Sequence, residues 1–218
     1  VLSLPLGIIA SLFLATLLNQ RIPGMAFFRT VFYLPSVISG VAVSLLWMWL
    51  LNPSFGLINY ALRVLFGIQG PKWLIVPSTV VPAFVLMSLW GVGGSLVIYL
   101  AALQSVPTEL YEAVALDGAN AWQRFWQITL PMLRRQLMFV TVWATLGAFQ
   151  VFIPIYTLTD GGPNRTTNVI VYYIYKKAFV FGEMGYASAL SIILLIILLG
   201  VSVIQMRLLR SEEVAETR

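Results

Sequence analysis

The sequence predicts an all-α fold: a polytopic transmembrane helical bundle. The first reason is composition. Of 218 residues, 60% are hydrophobic and only 10% charged, with a mean hydropathy of +0.91. Soluble domains carry about 25% charged residues, so this chain lacks the charge to cover a water-facing surface. The second reason is length. Apolar runs approaching the roughly 20 residues of helix that a ~30 Å hydrocarbon core requires recur five times. The third is that Lys and Arg collect between those runs, as at membrane boundaries, and form no basic stripe of the kind nucleic acid would need.

The apolar segments are residues 2–18, 30–51, 79–103, 136–158 and 186–206. The first is slightly short. The chain opens without Met and already inside this run, so a preceding natural segment, itself a span, is expected to be missing. Neither a basic leader nor a small-residue cleavage site is visible, so the run does not read as a signal peptide. Pro35 and Pro82 fall near span ends or in first turns, where a missing N–H is tolerated. Loop 19–29 carries Arg21 and Arg29. Loop 52–78 carries Arg63 and Lys72, with turn signals at Asn52-Pro53 and Gly70-Pro71. Loop 104–135 carries Arg124, Arg134 and Arg135, and loop 159–185 carries Arg165, Lys176 and Lys177. The tail adds Arg207, Arg210 and Arg218. Alternating the loops puts eight basic residues on one side and five on the other. Loop 104–135 and the C-terminus are therefore expected in the cytoplasm, with Val1 outside.

What is missing narrows the function. There is no Cys and no His, which removes thiolate and imidazole metal sites, Cys nucleophiles and His bases. No Gly-rich phosphate loop ending in Gly-Lys-Ser/Thr occurs. No Asp, Glu, Lys or Arg falls inside the five apolar segments. Ion-coupled transporters keep such groups at depth despite ~2.5–3.5 kcal/mol each on insertion scales, so a self-powered transporter is disfavoured. So is an embedded enzyme, for want of any acid, base or nucleophile constellation.

The segments do hold neutral polar and aromatic groups, among them Trp47, Ser88, Trp90, Ser95, Tyr99, Trp143, Thr145 and Gln150. Such groups suit a neutral, hydroxyl-rich solute. They equally suit interfacial anchoring of Trp and Tyr and hydroxyls bonded to their own helix. In the fourth segment Ala144, Gly147, Ala148 and Val151 recur at helical spacing, leaving room for close packing or for a ligand. Gln150 is its most polar side chain and the strongest intramembrane candidate.

Loop 104–135 is the longest stretch of mixed character. Pro107 opens a helix in which Glu109 and Glu112 favour the early turns, and Gly118 ends it. Asn120 with Gln123 predicts a capping box on a second short helix. Pro131 and Arg134-Arg135 mark a stop and the return to the bilayer. The acids would be repelled by an anionic leaflet. A protein partner accounts for them together with Tyr111, Trp122, Phe125 and Trp126.

Glu112-Ala113, Asp117-Gly118-Ala119, Ile128 and Leu130-Pro131 resemble the cytoplasmic "EAA" loop of permease subunits of ATP-binding-cassette importers. Val114 stands where that family usually has Ala. The extension from Leu103 through Pro107 to Tyr111 resembles the carbohydrate-uptake branch. So do Phe28-Arg29-Thr30 with Leu34-Pro35, Trp47 with Asn52-Pro53 and Phe55 to Asn59, and Thr159-Asp160-Gly161-Gly162-Pro163 followed by Tyr175, Ala178-Phe179 and Gly185 to Ala189. The last stretch is similar to the first, maltose-F-like subunit of a heterodimeric pair.

The resemblance implies one permease domain over residues 1–218, N-terminally truncated, with residues 104–135 as its coupling loop in a prokaryotic plasma membrane. It implies a second permease subunit, two ATPase subunits holding ATP and Mg, and an extracytoplasmic sugar-binding protein. No cofactor, metal or catalytic residue is expected in this chain. Glu112, Ala113, Val114, Asp117, Gly118, Ile128, Leu130 and Pro131 would couple to the ATPase, with Glu112 meeting a basic residue and Gly118 a hinge. Gly91, Gly94, Ala144, Gly147 and Val151 would fall near positions that face the sugar in that family, and Trp90, Trp143 and Gln150 join the candidate path by their own aromatic or polar chemistry. A related importer for glycerol phosphate or peptide, or a non-transporting membrane scaffold, remains the alternative.

Overall fold

The computed structural model describes the backbone of residues 2–20 and 22–215 and side chains as far as Leu208. The expectation about Val1, and the basic side chains of Arg21, Arg210 and Arg218, lie outside the described residues. Among the described residues every regular element is helical.

The first apolar segment is α1 (Ser3–Leu18). Its 16 residues span about 24 Å at 1.5 Å per residue. Arg29, from the next helix, closes its C-terminus: Nε and one terminal guanidinium nitrogen donate to the Leu18 carbonyl at 3.1 and 2.8 Å. That satisfies an orphan carbonyl and sets a cation on the negative end of the helix.

The second and third segments differ from single spans. Residues 30–51 are divided between α2 (Met25–Val37) and α3 (Gly40–Leu50), bent by 100°. The break falls just after Pro35, which cannot donate to the helix ladder. Residues 79–103 are divided between α5 (Pro77–Trp90) and α6 (Gly93–Gln104), bent by 44° at Gly91-Val92. Gly93 lets α6 meet α2 closely, since a Cβ there would lie 2.6 Å from the Phe32 carbonyl oxygen.

The fourth segment is α10 (Arg134–Phe149) followed, after a short break, by α11 (Ile153–Leu158). The last is α13 (Met184–Ala215), 32 residues long. It does not stop at residue 206, because the tail contains the helix formers Leu, Arg, Glu and Ala. By length and composition two stretches can each cross a membrane, Arg134–Leu158 and Met184–Leu208, or four if each bent pair is one span.

The packing is two-centred. Between α1, α6 and α10 lie Ala15, Tyr99, Leu100, Leu103, Leu133 and Val140. Between α3 and α5 lie Trp47, Leu51, Ala83 and Met87, with Ile58, Trp73 and Leu158 against them. Inside the helices, Ser11 and Ser44 hydroxyls donate to carbonyls one turn back at 2.7 Å, as expected for hydroxyls that cannot reach water. Gln205 of α13 donates to Thr145 of α10 at 2.9 Å, a polar link between the last two apolar segments.

Loop 52–78 is built around Asn59. It carries α4 (Leu57–Phe66), and Asn59 is buried on that helix's inner face. The Asn59 amide donates to the carbonyls of Pro53 and Pro71 at 3.4 and 3.2 Å, and its oxygen accepts from the Trp73 indole at 2.7 Å. This explains the spacing between Asn52-Pro53 and Asn59: one amide closes the loop at three points. Replacing Asn59 by Leu leaves a half-buried indole N–H without its acceptor, which costs on the order of 1 kcal/mol. We expect Asn59→Leu to lower the melting temperature and to hasten proteolysis within residues 52–78. Unchanged values for both would contradict the clamp.

Candidate functional site

Two features stand out, a cavity among the apolar helices and the loop below it. The cavity measures about 780 Å³, within the ~300–1,000 Å³ range of small-molecule sites. It lies where the helix breaks converge. Pro35 and Val43 flank the α2–α3 break, Gly91 and Val92 form the α5–α6 break, and Val151 and Pro154 flank the α10–α11 break; all six line it. Irregular backbone within apolar segments is tolerated where it lines a cavity, and here the broken ends are closed locally. Val43 N–H donates to Ser39, Gly91 to Ser88 and Gln150 to Leu146, at 3.0–3.1 Å.

The wall is apolar with a few hydroxyls. Ser3, Ser88, Ser95, Thr166 and Thr167 contribute oxygens and Trp90 an aromatic face, and among the described residues no ionisable side chain lines the cavity. Ser88 donates to its own helix at Val85, 2.7 Å away. Its oxygen keeps acceptor capacity. Trp90 packs edge-on against Trp47, ring centroids 5.8 Å apart, which fixes its orientation.

Residues 159–185 contribute Thr166, Thr167 and Val169 to the cavity wall. Thr167 is buried, donates to the Gly162 carbonyl at 2.6 Å and shares a 2.8 Å bond with Thr159. Tyr172 of α12 (Ile170–Tyr175) donates to Asp160. Further on, Lys177 binds both Glu183 carboxylate oxygens at 2.9 and 3.0 Å. That bond holds its ammonium above the ordinary lysine range and ties this loop to the start of α13.

The loop between α6 and α10 is an elbow of short helical pieces. Helix α7 (Thr108–Leu116) begins just after Pro107, which therefore precedes the first turn instead of lying in it. It ends in paired bonds, Ala119 N–H to Val114 and Gly118 N–H to Ala115, at 3.2 and 3.1 Å. This is a Schellman closure, and it requires Gly118 at φ +78°. Open space surrounds the position, so the demand for glycine is conformational.

Helix α8 (Ala121–Arg124) then starts with the expected capping box, Gln123 N–H to Asn120 Oδ1 at 2.9 Å and Asn120 N–H to Gln123 Oε1 at 2.8 Å. The chain continues as a π-helical turn (Phe125–Thr129) and α9 (Leu130–Met132). Pro131 is thus not a stop: it sits in the first turn of α9, where its missing N–H is harmless. Tyr111 and Thr129 hydroxyls meet at 3.0 Å and join the two arms.

Within the elbow, Ile128 is buried, Val114 and Leu130 are half-buried, and Ala113, Asp117 and Pro131 are exposed. No residue of α7 is buried. Glu109, Glu112 and Leu116 share one face by helical spacing, and Leu116 is 90% exposed. The arms continue directly into the cavity: α6 begins at the wall residues Val92 and Ser95, and α10 carries Val140, Ala144 and Gly147.

Residues 3–211 match the binding-protein-dependent transport system inner membrane component family. The chain belongs to that family. It is 39% identical over 216 residues to the "Probable ABC transporter permease protein YurN" of Bacillus subtilis, covering 97% of this chain and 74% of that one. It is 36% identical to the multiple sugar-binding transport system permease protein MsmF of Streptococcus mutans, covering 95% and 71%. Among solved structures, a chain of a bacterial ABC transporter involved in import of the acidic polysaccharide alginate superposes with a TM-score of 0.87 at 28% identity, covering 96% and 74%. The chain is thus an inner-membrane transport permease, not an enzyme.

In this permease the cavity gathers Trp90, Gly91, Ala144, Gly147 and Val151 from the eight path residues the sequence singled out. Gly94, Trp143 and Gln150 are not on its wall. Gly94 lies beyond the α5–α6 break, which shifts the helical register. Trp143 is 68% exposed and stacks on Phe139, facing away. Gln150 is exposed as the C-cap of α10. Sequence reasoning missed Phe84, Pro154 and Thr167; the Gly161-Gly162-Pro163 turn was the available signal that Thr167 folds inward. Filling the cavity should separate the two groups. Ala144→Trp is expected to lower transport at least tenfold at normal assembly, whereas Trp143→Ala leaves it within about twofold. Uptake by proteoliposomes measures both, and equal effects would contradict the placement.

Proposed function

We propose that this permease forms half of the translocation path of an ATP-driven, binding-protein-dependent sugar importer. The observation that carries the reading is the junction of cavity and elbow through α6 and α10. The wall offers hydroxyls, an indole face and no charge, which suits a neutral, hydroxyl-rich solute. The multiple sugar-binding transport relative supports a sugar as the solute class. A second permease subunit would complete the path, and an extracytoplasmic binding protein would deliver the solute.

In this reading loop 104–135 and the C-terminus face the cytoplasm, where the elbow docks on one of two ATPase subunits that hold ATP and Mg. Glu112 meets a basic residue there, and Leu116 enters an apolar contact beside it. Ala113, Val114, Asp117 and Gly118 shape the docking helix. Ile128, Leu130 and Pro131 shape the return arm. ATPase closure would draw two such elbows together and swing α6 and α10 as rigid bodies, opening the cavity outward; hydrolysis would reset it. Gly118, left-handed at φ +78°, would serve as the hinge between the two arms.

The test uses the reconstituted transporter. Glu112→Ala should lower both transport and binding-protein-stimulated ATPase about tenfold or more, the effect of losing a charge-assisted contact of ~1.5–3 kcal/mol, with membrane insertion intact. Normal coupled transport in that variant would remove Glu112 from the docking contact. The solute class is tested separately, by stimulating the wild-type ATPase with binding protein loaded with neutral or acidic sugars. Stimulation by acidic ligands alone would contradict the neutral assignment.

A further inference from the structure

Helix α4 (Leu57–Phe66) carries an apolar surface on its outer side that the fold does not use. Its inner face is accounted for: Ile58 packs on the cluster of Trp47 and Leu51, and Asn59 closes the loop. Its other faces and C-terminal turn expose Leu57 at 52%, Tyr60 at 55%, Val64 at 62%, Leu65 at 72%, Phe66 at 68% and, just beyond, Ile68 at 58%. Leu57, Tyr60 and Val64 recur at helical spacing, so they form one side, and Leu65 adjoins it. Burying four such side chains contributes ~1.5–3 kcal/mol each, so a surface of this size is expected to be covered.

We propose that α4 lies in the plane of the membrane surface, with this side sunk among lipid acyl chains and with Arg63 and Lys72 taking anionic phospholipid headgroups. Three observations select lipid as the occupant. The Asn59 bonds to Pro53 and Pro71 tie α4 to both limbs of the loop that joins α3 to α5, two apolar segments. Leu45, Leu46 and Trp49 of α3, the apolar segment that precedes α4, are exposed as well. Residues 52–78 contain two charged groups, Arg63 and Lys72, and no acid, complementary to lipid phosphate. An amphipathic helix with basic residues beside its apolar face settles ~5–10 Å into the headgroup and acyl boundary. Arg63 lies 5.9 Å from the Tyr60 ring, an arrangement suited to that boundary.

Because the protein has no cysteine, a single fluorophore can report depth. Leu65→Cys, with Ser54→Cys as the water-facing control, is labelled with an environment-sensitive dye in the assembled transporter in lipid nanodiscs. A shallow nitroxide lipid should quench the Leu65 label at least twofold more than the Ser54 label, and aqueous iodide the reverse. Strong iodide quenching at Leu65 overturns the proposal. So does protection from both quenchers, which would put a protein on this side of α4. In a second arm, the permease should prefer phosphatidylglycerol to phosphatidylcholine around α4, measured by fluorescence transfer from labelled lipid. The preference should fall at least threefold in the R63Q/K72Q double variant. Abolition of the preference by millimolar inorganic phosphate would identify a free-anion site and overturn the lipid assignment.

Discussion

A backbone inside hydrocarbon must satisfy its own hydrogen bonds, and the rest of this structure depends on how the chain does so. Unbroken helices would meet the requirement most simply. Instead three apolar segments are interrupted, after Pro35, at Gly91-Val92 and at Gln150 to Phe152, and all three interruptions border one cavity. Each is closed by bonds reaching back one turn, from Val43, Gly91 and Gln150. The permease has concentrated the breaks in its apolar segments around one cavity.

The second consequence concerns energy. Apolar segments without an ionisable residue cannot carry a proton or ion relay of their own. In the function proposed above, work done elsewhere enters through the elbow between α6 and α10. Its shape is set by local bonds: a Schellman closure at Gly118, a capping box at Asn120 and a hydroxyl pair joining Tyr111 to Thr129. The π-helical turn at Phe125–Thr129 places Ile128 and Thr129 inward while the aromatic trio Trp122, Phe125 and Trp126 packs on itself.

Much of this was legible in the residues. Composition gave the helical membrane fold, Asn120 with Gln123 gave the capping box, and Gly118 gave the end of α7. Helix breaks were harder, because Pro35 and Gly91 signal only that a ladder bond is missing and do not say whether the helix bends by 44° or 100°. Register was hardest. Once α10 ended at Phe149, Gln150 became a cap, and its polarity no longer indicated which way it pointed. Asn59 shows the converse: its neighbours read as loop, yet its amide organises residues 52–78. Pro131 misled because proline stops a helix in mid-course but begins one freely.

The proposed function has this permease driven through its elbow by ATP hydrolysis on partner subunits. The most direct measurement is solute uptake by proteoliposomes containing the complete transporter and its binding protein, energised either by enclosed ATP or by an imposed proton or sodium gradient. The account predicts accumulation with ATP that persists when ionophores collapse every ion gradient, and none with gradients alone. Gradient-driven accumulation without ATP would contradict it.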